Sequence, residues 1–259
     1  MIIMTQKPLI LVANDDGISA PGLRALIKVM NEFGEVVVVA PNGPQSGMGH
    51  AITLNSVLRC DKVHIDDGPQ EEYSCSGTPV DCVKLAINKI LKRKPDLCVS
   101  GINHGSNSSI NVIYSGTMSA ALEGALEGIP SIGFSLLDHS SDADFSASQE
   151  VVRKLVANVL KEGLPEGSCL NVNIPKLSLK DIKGIRICRQ ANANWTEEFV
   201  ERRDPTGKTY YWLTGTFQNY DNGEDTDEWA LSNGYVSVVP VQYDLTAHHL
   251  ISKLNKQIL

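Results

Sequence analysis

The sequence predicts an α/β protein: a largely parallel sheet covered by helices on both faces. Two runs carry that expectation. Leu9-Ile10-Leu11-Val12 and Val36-Val37-Val38-Val39-Ala40 are unbroken and apolar, as strands buried on both faces require. Between them Leu23, Leu26, Ile27 and Met30 recur at helical spacing, with Pro21 at the first helical position and Gly34 at the end. Strand, helix, strand is how a doubly wound fold begins. The chain has 259 residues, 42% of them hydrophobic and 20% charged, enough to bury a large core.

The same alternation continues. Pro41 to His50 is a loop of small and polar residues at the carboxyl end of the second strand. Ala51 to Cys75 is irregular and is expected to form β-hairpin structure outside the main sheet. Thr78-Pro79-Val80-Asp81 starts a helix, with Thr at the N-cap, Pro next and an acid at the third position. Its buried face is Val83, Ala86, Ile87, Ile90 and Leu91. Asp96 to Ser100 is a third core strand, and Gly101 to Asn107 is its polar loop. Ser115-Gly116-Thr117 opens a helix of small residues (Ala120, Ala121, Gly124, Ala125) that can pack close to a sheet. Gly128 ends it. Pro130 to Ser135 is a fourth strand, Ser146 to Glu162 an amphipathic helix closed by Gly163, and Leu170 to Ile174 a fifth strand.

Past Pro175 the pattern changes. Ile185 to Cys188, Tyr210 to Thr214 and Val236 to Val241 are strand-like, and Thr246 to Leu259 can be helical. The division expected is a catalytic core over residues 1–175 and a β-rich region over 176–259 that holds an oligomerisation arm and a terminal helix.

Composition narrows the class. The net charge of -7 gives no support to a nucleic-acid backbone binder, which needs a basic face. No stretch is long and apolar enough to cross a membrane. Met1 to Pro8 lacks the basic segment and apolar core of a signal peptide. The six cysteines (Cys60, Cys75, Cys82, Cys98, Cys169, Cys188) are scattered, with no Cys-x-x-Cys pair. A reducing, cytoplasmic setting is expected, without disulfides or zinc thiolates.

The chemistry gathers at one edge. Asp15 and Asp16 occupy the first strand-to-helix turn, and ligands of open α/β sheets bind at the carboxyl ends of strands. Adjacent carboxylates repel unless a cation holds both ionised. An Asx-turn accounts for the tetrapeptide equally well. The second loop adds Ser46 and the third adds Asn103. These are hard oxygen donors suited to Mg²⁺ or Mn²⁺. Two carboxylates neutralise a divalent cation and still let a dianionic phosphate approach. At Ser115-Gly116-Thr117, the backbone N–H groups of a helix start and two hydroxyls make a phosphate seat, although plain N-capping also explains them. Gly47, Gly49, Gly101 and Gly105 either admit backbone to an anion or serve turns. His50 and His104 are candidate proton donors, though a loop histidine is more often incidental. Asp221 to Glu228 lacks the EF-hand positions and is expected to be a solvated turn before a short helix.

Five motifs then stand in order: Asn14-Asp15-Asp16-Gly17; Pro41 followed by Gln45-Ser46-Gly47; Ser76-Gly77-Thr78-Pro79; Ser100-Gly101-Ile102-Asn103; and Tyr114-Ser115-Gly116-Thr117. In this the chain resembles the survival protein E (SurE) family of 5'-nucleotidases over its length, most weakly in the C-terminal region. The resemblance implies a Rossmann-like three-layer core and a metal-dependent phosphatase of nucleoside 5'-monophosphates, with 3'-nucleotides and short polyphosphate as further substrates. It implies that Asp15, Asp16, Ser46 and Asn103 bind one divalent metal ion. The phosphate would fall to Asn14, Gly47, Ser115, Gly116 and Thr117, and the subunits would form dimers or tetramers with exchanged C-terminal elements.

The expected reaction is hydrolysis by a metal-activated water, with Asp15 or Asp16 available as a base. A receiver-type signalling module also places an acidic pair after its first strand. It needs an Asp after a later strand and a Lys after the last, where this chain has Ser100-Gly101-Ile102-Asn103 and Leu136-Leu137-Asp138. A dehydrogenase needs a Gly-x-Gly-x-x-Gly that the first turn lacks. A phosphatase of sugar phosphates is the nearer alternative.

Overall fold

The computed structural model describes residues 7–258; the expectations for Met1 to Gln6 and for Leu259 lie outside the described residues. In chain order the strands are β1 (Leu9–Ala13), β2 (Glu35–Pro41), β3 (Cys60–Val63), β4 (Glu71–Cys75), β5 (Leu97–His104), β6 (Ser131–Leu136), β7 (Ser168–Ile174), β8 (Ile185–Ile187), β9 (Ala193–Arg203), β10 (Thr209–Asn219) and β11 (Val236–Gln242). The helices are α1 (Pro21–Met30), α2 (Pro79–Leu85), α3 (Gly116–Leu126), α4 (Ser146–Glu162), α5 (Asp227–Ser232) and α6 (His248–Ile258).

Nine strands form one sheet in the order β3-β4-β2-β1-β5-β6-β7-β11-β8. The six from β4 to β7 are parallel. Ile10 and Val12 of β1, with Val36 and Val38 of β2, face a core that includes Leu23 and Leu26 of α1 and Val152 and Val156 of α4. Leu11, Val37 and Val39 face the opposite way, toward Cys82 and Val83 of α2. Alternation along fully apolar strands thus feeds two cores, one on each side, which is the three-layer α/β/α arrangement. The small residues of α3 do bring it close: a Cβ on Gly124 would sit 2.9 Å from the Cβ of Cys98 on β5.

Three expectations change. Residues 60–75 do form a hairpin, but it belongs to the main sheet, because β4 pairs in parallel with β2 from Val37 to Pro41. The sheet does not end at Pro175 either. β11 runs antiparallel to β7, β8 follows it, and Val236 and Val238 join the same core as Val172. An edge at 175 would leave β7 unpaired and those valines exposed. Of the region beyond 175, only the β9–β10 hairpin forms a separate sheet. Finally, the second helix stops being α-helical at Leu85 and continues as a π-turn over Ala86–Ile90.

Candidate active site

β1 lies between β2 and β5, so the loops after these three strands emerge side by side. Backbone bonds tie them together. Gln45 N–H donates to the Asp15 carbonyl at 2.7 Å, and Ile18 N–H to the Pro41 carbonyl at 2.8 Å. The His104 N–H points at Asp16 Oδ2 from 3.4 Å. Asp15, Asp16 and Ser46 therefore lie in two adjoining loops, while Asn103, expected in a loop, sits beside them at the carboxyl end of β5. β5 reaches four residues further than the sequence indicates. It is irregular between Ser100 and Asn103, where the Gly101–Ile102 peptide is cis.

Asp15 is 4% exposed. Its Oδ1 accepts the Thr117 hydroxyl at 2.5 Å. Burial pushes its carboxyl up to about 6; the Thr117 bond works against that shift and the neighbouring Asp16 charge adds to it. Burial also raises Asp16, while the His104 N–H opposes the rise. An adjacent pair of acids that resist ionisation is what a site for a cation presents when protein groups alone surround it. The Asx-turn does not use either carboxylate: it is Asn14 whose Nδ2 donates to the Gly17 carbonyl at 2.9 Å. Among the described residues Asn14 Oδ1 is buried and has no partner, an acceptor without a donor at the heart of the site.

The other donors have free oxygens. Asn103 spends its amide nitrogen on the carbonyls of His104 (3.2 Å) and Gly105 (2.9 Å), which turns its Oδ1 to be the available end. Ser46 is exposed. Among the described residues no group of three or more His, Cys, Asp and Glu side chains is placed to hold a metal. A cation here must rely on two carboxylates completed by neutral oxygens.

α3 closes the site from the other side. A Cβ on Gly116 would lie 2.6 Å from the Asp15 Cβ and 2.9 Å from its Oδ2, so only glycine lets the helix start touch this carboxylate. Ser115 caps α3, its Oγ accepting from Met118 N–H at 3.0 Å, and keeps its own hydrogen to donate. Thr117 has already given its hydrogen to Asp15. Its contribution to an anion is therefore its backbone N–H, which with that of Gly116 belongs to the first turn and lacks an intrahelical acceptor. Gly47 lies in the facing loop, at a positive φ of 73°.

The two histidines are engaged elsewhere. His50 Nε2 lies 2.9 Å from Oε2 of Glu123, a buried carboxylate that Lys84 also contacts at 2.5 Å. The His104 ring packs edge-on against Phe145, with centroids 5.2 Å apart, and its Nδ1 is 3.3 Å from the Asp138 carbonyl.

A buried amide network beneath the site escaped sequence reasoning. Asn107 N–H donates to Asn173 Oδ1 (2.8 Å), Asn173 Nδ2 to Asn171 Oδ1 (2.9 Å), Asn171 Nδ2 to the Asn107 carbonyl (2.7 Å), and Asn107 Nδ2 to Ser135 Oγ (2.7 Å). Further on, Asp227 Oδ2 accepts from the N–H of Ser109 at 2.7 Å and its Oδ1 from that of Ala191 at 2.9 Å. Together they pin the chain from Asn107 to the α3 start. The available signal was Asn171 and Asn173, two amides on one face of a buried strand. Asp227 was hidden in an acidic run that otherwise behaves as expected, a turn leading into α5.

A three-layer α/β sheet with a paired-carboxylate turn facing a helix N-terminus across a glycine contact defines a class of anion-handling α/β proteins. Within it, the chain belongs to the SurE family: the family model described as "Survival protein SurE" matches residues 10–197. The chain is 67% identical over 249 residues to the 5'-nucleotidase SurE of Flavobacterium psychrophilum, covering 96% of this chain and 97% of that one. It is 68% identical over 250 residues to the protein of the same name from Flavobacterium johnsoniae, with 96% of each covered. The crystal structure of the SurE protein from Aquifex aeolicus superposes with a TM-score of 0.83 at 41% identity, over 96% of this chain and 99% of that one.

Proposed function

We propose that this chain is a divalent-metal-dependent phosphomonoesterase that hydrolyses nucleoside 5'-monophosphates, and 3'-monophosphates as well, to nucleoside and phosphate. The observation that carries this reading is the close approach of Gly116 to Asp15, which would let a phosphate at the α3 start lie beside a cation on the carboxylate pair. The relatives named 5'-nucleotidase SurE support the substrate class.

Asp15, Asp16, Ser46 and Asn103 would hold one Mg²⁺ or Mn²⁺, and the unpartnered Asn14 Oδ1 fits a site that a further group completes. When bound, the ion polarises the phosphoryl oxygens and acidifies a water. The N–H groups of Gly116 and Thr117, the Ser115 hydroxyl and the Gly47 backbone receive the phosphate oxygens, with Asn14 beside them. That holds the phosphorus in line for attack. Thr117 orients Asp15, and Asp15 or Asp16 accepts the proton of the attacking water.

The same reading extends to assembly and setting. No helix among the described residues is long and apolar enough to cross a membrane. The β9–β10 hairpin exposes Phe199, Tyr210, Tyr211, Trp212 and Leu213, and α6 exposes Ile251, Leu254 and Ile258. These apolar faces suit burial in a homodimer or homotetramer. Six free thiols, five of them buried, fit a reducing cytoplasm.

Phosphate release from AMP, GMP, UMP, 3'-AMP, ribose 5-phosphate and polyphosphate tests the reading, in EDTA and with Mg²⁺ or Mn²⁺ restored. Release from nucleotides that EDTA stops and metal restores is expected. Failure of every substrate with every metal overturns it.

A further inference from the structure

Beside the phosphate seat lies a cavity of about 570 Å³ that the reaction as described does not use. Its walls come from both regions of the chain. Gly47 and Tyr114 belong to the site loops, while Trp195, Glu197, Leu213 and Thr214 belong to the β9–β10 hairpin. The size falls within the range of small-molecule pockets.

Its position follows from the chain. Tyr114 immediately precedes Ser115, the N-cap of α3, so it stands two residues from Gly116, at most about 7 Å along the backbone. A ribose bridges such a gap. The opposite wall is rigid. The Trp195 indole donates to Asn111 Oδ1 at 2.8 Å, and its ring packs edge-on against Phe217 with centroids 5.5 Å apart. Asn111 lies in the 3-10 turn Ser109–Ile113 that leads into Tyr114, so both aromatic walls hang from one segment. Yet Trp195 remains 42% exposed and Tyr114 49%, so each keeps aromatic surface that the described residues leave uncovered. On the hairpin, Trp195 and Glu197 share a face, and the residue opposite Glu197 is Gly215. Having no side chain, Gly215 leaves a flat notch between Leu213 and Phe217 on that face.

We propose that this cavity is the nucleobase subsite, that Tyr114 and Trp195 stack the base, and that Glu197 reads its edge in favour of guanine. This rests on the phosphomonoesterase reading and names the part of the substrate that reading leaves open. An aromatic platform accepts any base, because every base has a π-face. A carboxylate accepts hydrogen bonds and donates none. Guanine offers it two neighbouring donors, N1–H and the exocyclic amine. Adenine offers one donor beside an acceptor, which a carboxylate repels. Discrimination of that kind rests on pairing a built polar group.

The test compares kcat/KM for GMP, AMP and ribose 5-phosphate, which shares the phosphate and ribose but has no base, in the full-length chain with metal. The variants are Tyr114→Leu, Trp195→Ala, Trp195→Phe and Glu197→Gln, each checked by thermal melting and by mass in solution. Loss of a stacking wall in Tyr114→Leu or Trp195→Ala should lower the GMP to ribose 5-phosphate ratio about tenfold or more, through KM. Trp195→Phe, which keeps a ring, should recover most of it. Glu197→Gln should narrow the preference for GMP over AMP. The inference is overturned if GMP and ribose 5-phosphate fall together, as they would if the cavity were only a subunit contact, or if no ratio moves. Calorimetric binding of GMP separates the two readings. A wild-type protein that binds GMP with the same variant dependence but releases no phosphate refutes the phosphomonoesterase and keeps the subsite. GMP binding unchanged by all four variants refutes the subsite alone.

Discussion

The carboxyl edge of the sheet and the β9–β10 hairpin are built on opposite principles. At the edge, strands buried on both faces hold Asp15 and the α3 start out of solvent, and Asn14, Asp16 and Asn103 are each tied to backbone. Along the hairpin the burial runs the other way: of its 22 paired residues, from Ala193 to Arg203 and Thr209 to Asn219, only Ala193 is buried. The first region is finished within one chain, while the second carries more aromatic surface than one chain covers. Rigid geometry for chemistry and open surface for recognition are thus kept apart, and they meet where Trp195 docks on Asn111, where Ser109 bonds the Ala193 carbonyl and around the cavity.

The sharpest way to break this comparison is at the edge. Asp16→Asn keeps the shape of the turn and removes half the negative charge. Phosphatase activity should drop about a thousandfold or more, as for loss of a group acting directly on transition-state charge, with the circular dichroism of the wild type retained. Activity within tenfold of the wild type would move the chemistry away from this pair. Gly116→Ala comes next. The new methyl must displace Asp15 or the start of α3, since their atoms would stand 2.6 Å apart. A misplacement of that order costs about a hundredfold in rate. Steady-state kinetics should show the loss mainly in kcat, and an unaffected kcat would mean that the anion seat does not need this contact.

Much of the edge was legible in the sequence because its signals are local. The Asn14-to-Gly17 turn, the Thr78 cap and the α3 start each announce themselves within four residues, and the strands are apolar without a break. What was not legible was assembled from a distance. Nothing near Val236 says that β11 lies antiparallel to β7, because its alternation suits any half-covered sheet. Nothing near Asp227 says that it serves the N–H of Ser109, 118 positions away. Of the site residues, Asp15, Asp16 and Ser46 fall in adjoining loops as the strand order requires, whereas Asn103 lies in the extended end of β5. The hydroxyl of Thr117 turns out to be spent on Asp15, while that of Ser115 caps the helix as an acceptor and keeps its hydrogen. Sequence shows which side chains start a helix, but not that a carboxylate from another loop takes the hydrogen of one of them.

The third test uses the electrostatic cost of the edge. Asp15 titrates at about 6 in the folded chain, against an ordinary 3.8, so the folded state binds its proton more tightly than the unfolded state does. Without a cation, its contribution to stability is greatest below about pH 4, is lost as pH rises through about 6, and amounts to at most about 3 kcal/mol. In Asp15→Asn that dependence disappears. Urea melts of both proteins in EDTA, from pH 4 to 7, should show the variant gaining on the wild type as pH rises. A difference that stays flat with pH would mean that Asp15 is not held protonated by burial.

The smallest effect on the folded chain is expected in the hairpin, at residues that do not line the cavity. Tyr210 and Trp212 pack edge-on with centroids 6.5 Å apart, and both remain exposed. Neither of them lines the cavity. Replacing both with serine removes aromatic surface that the described residues leave largely exposed, and it should change the stability of a single chain by about 0.5 kcal/mol or less. If subunits bury that surface, sedimentation velocity should show the wild type as an oligomer and the double variant shifted toward monomer at micromolar concentration. An unchanged oligomer would place the subunit contact on α6 or elsewhere. A large fall in melting temperature without dissociation would mean that the arm is part of the single-chain core, and the contrast between edge and arm would fail.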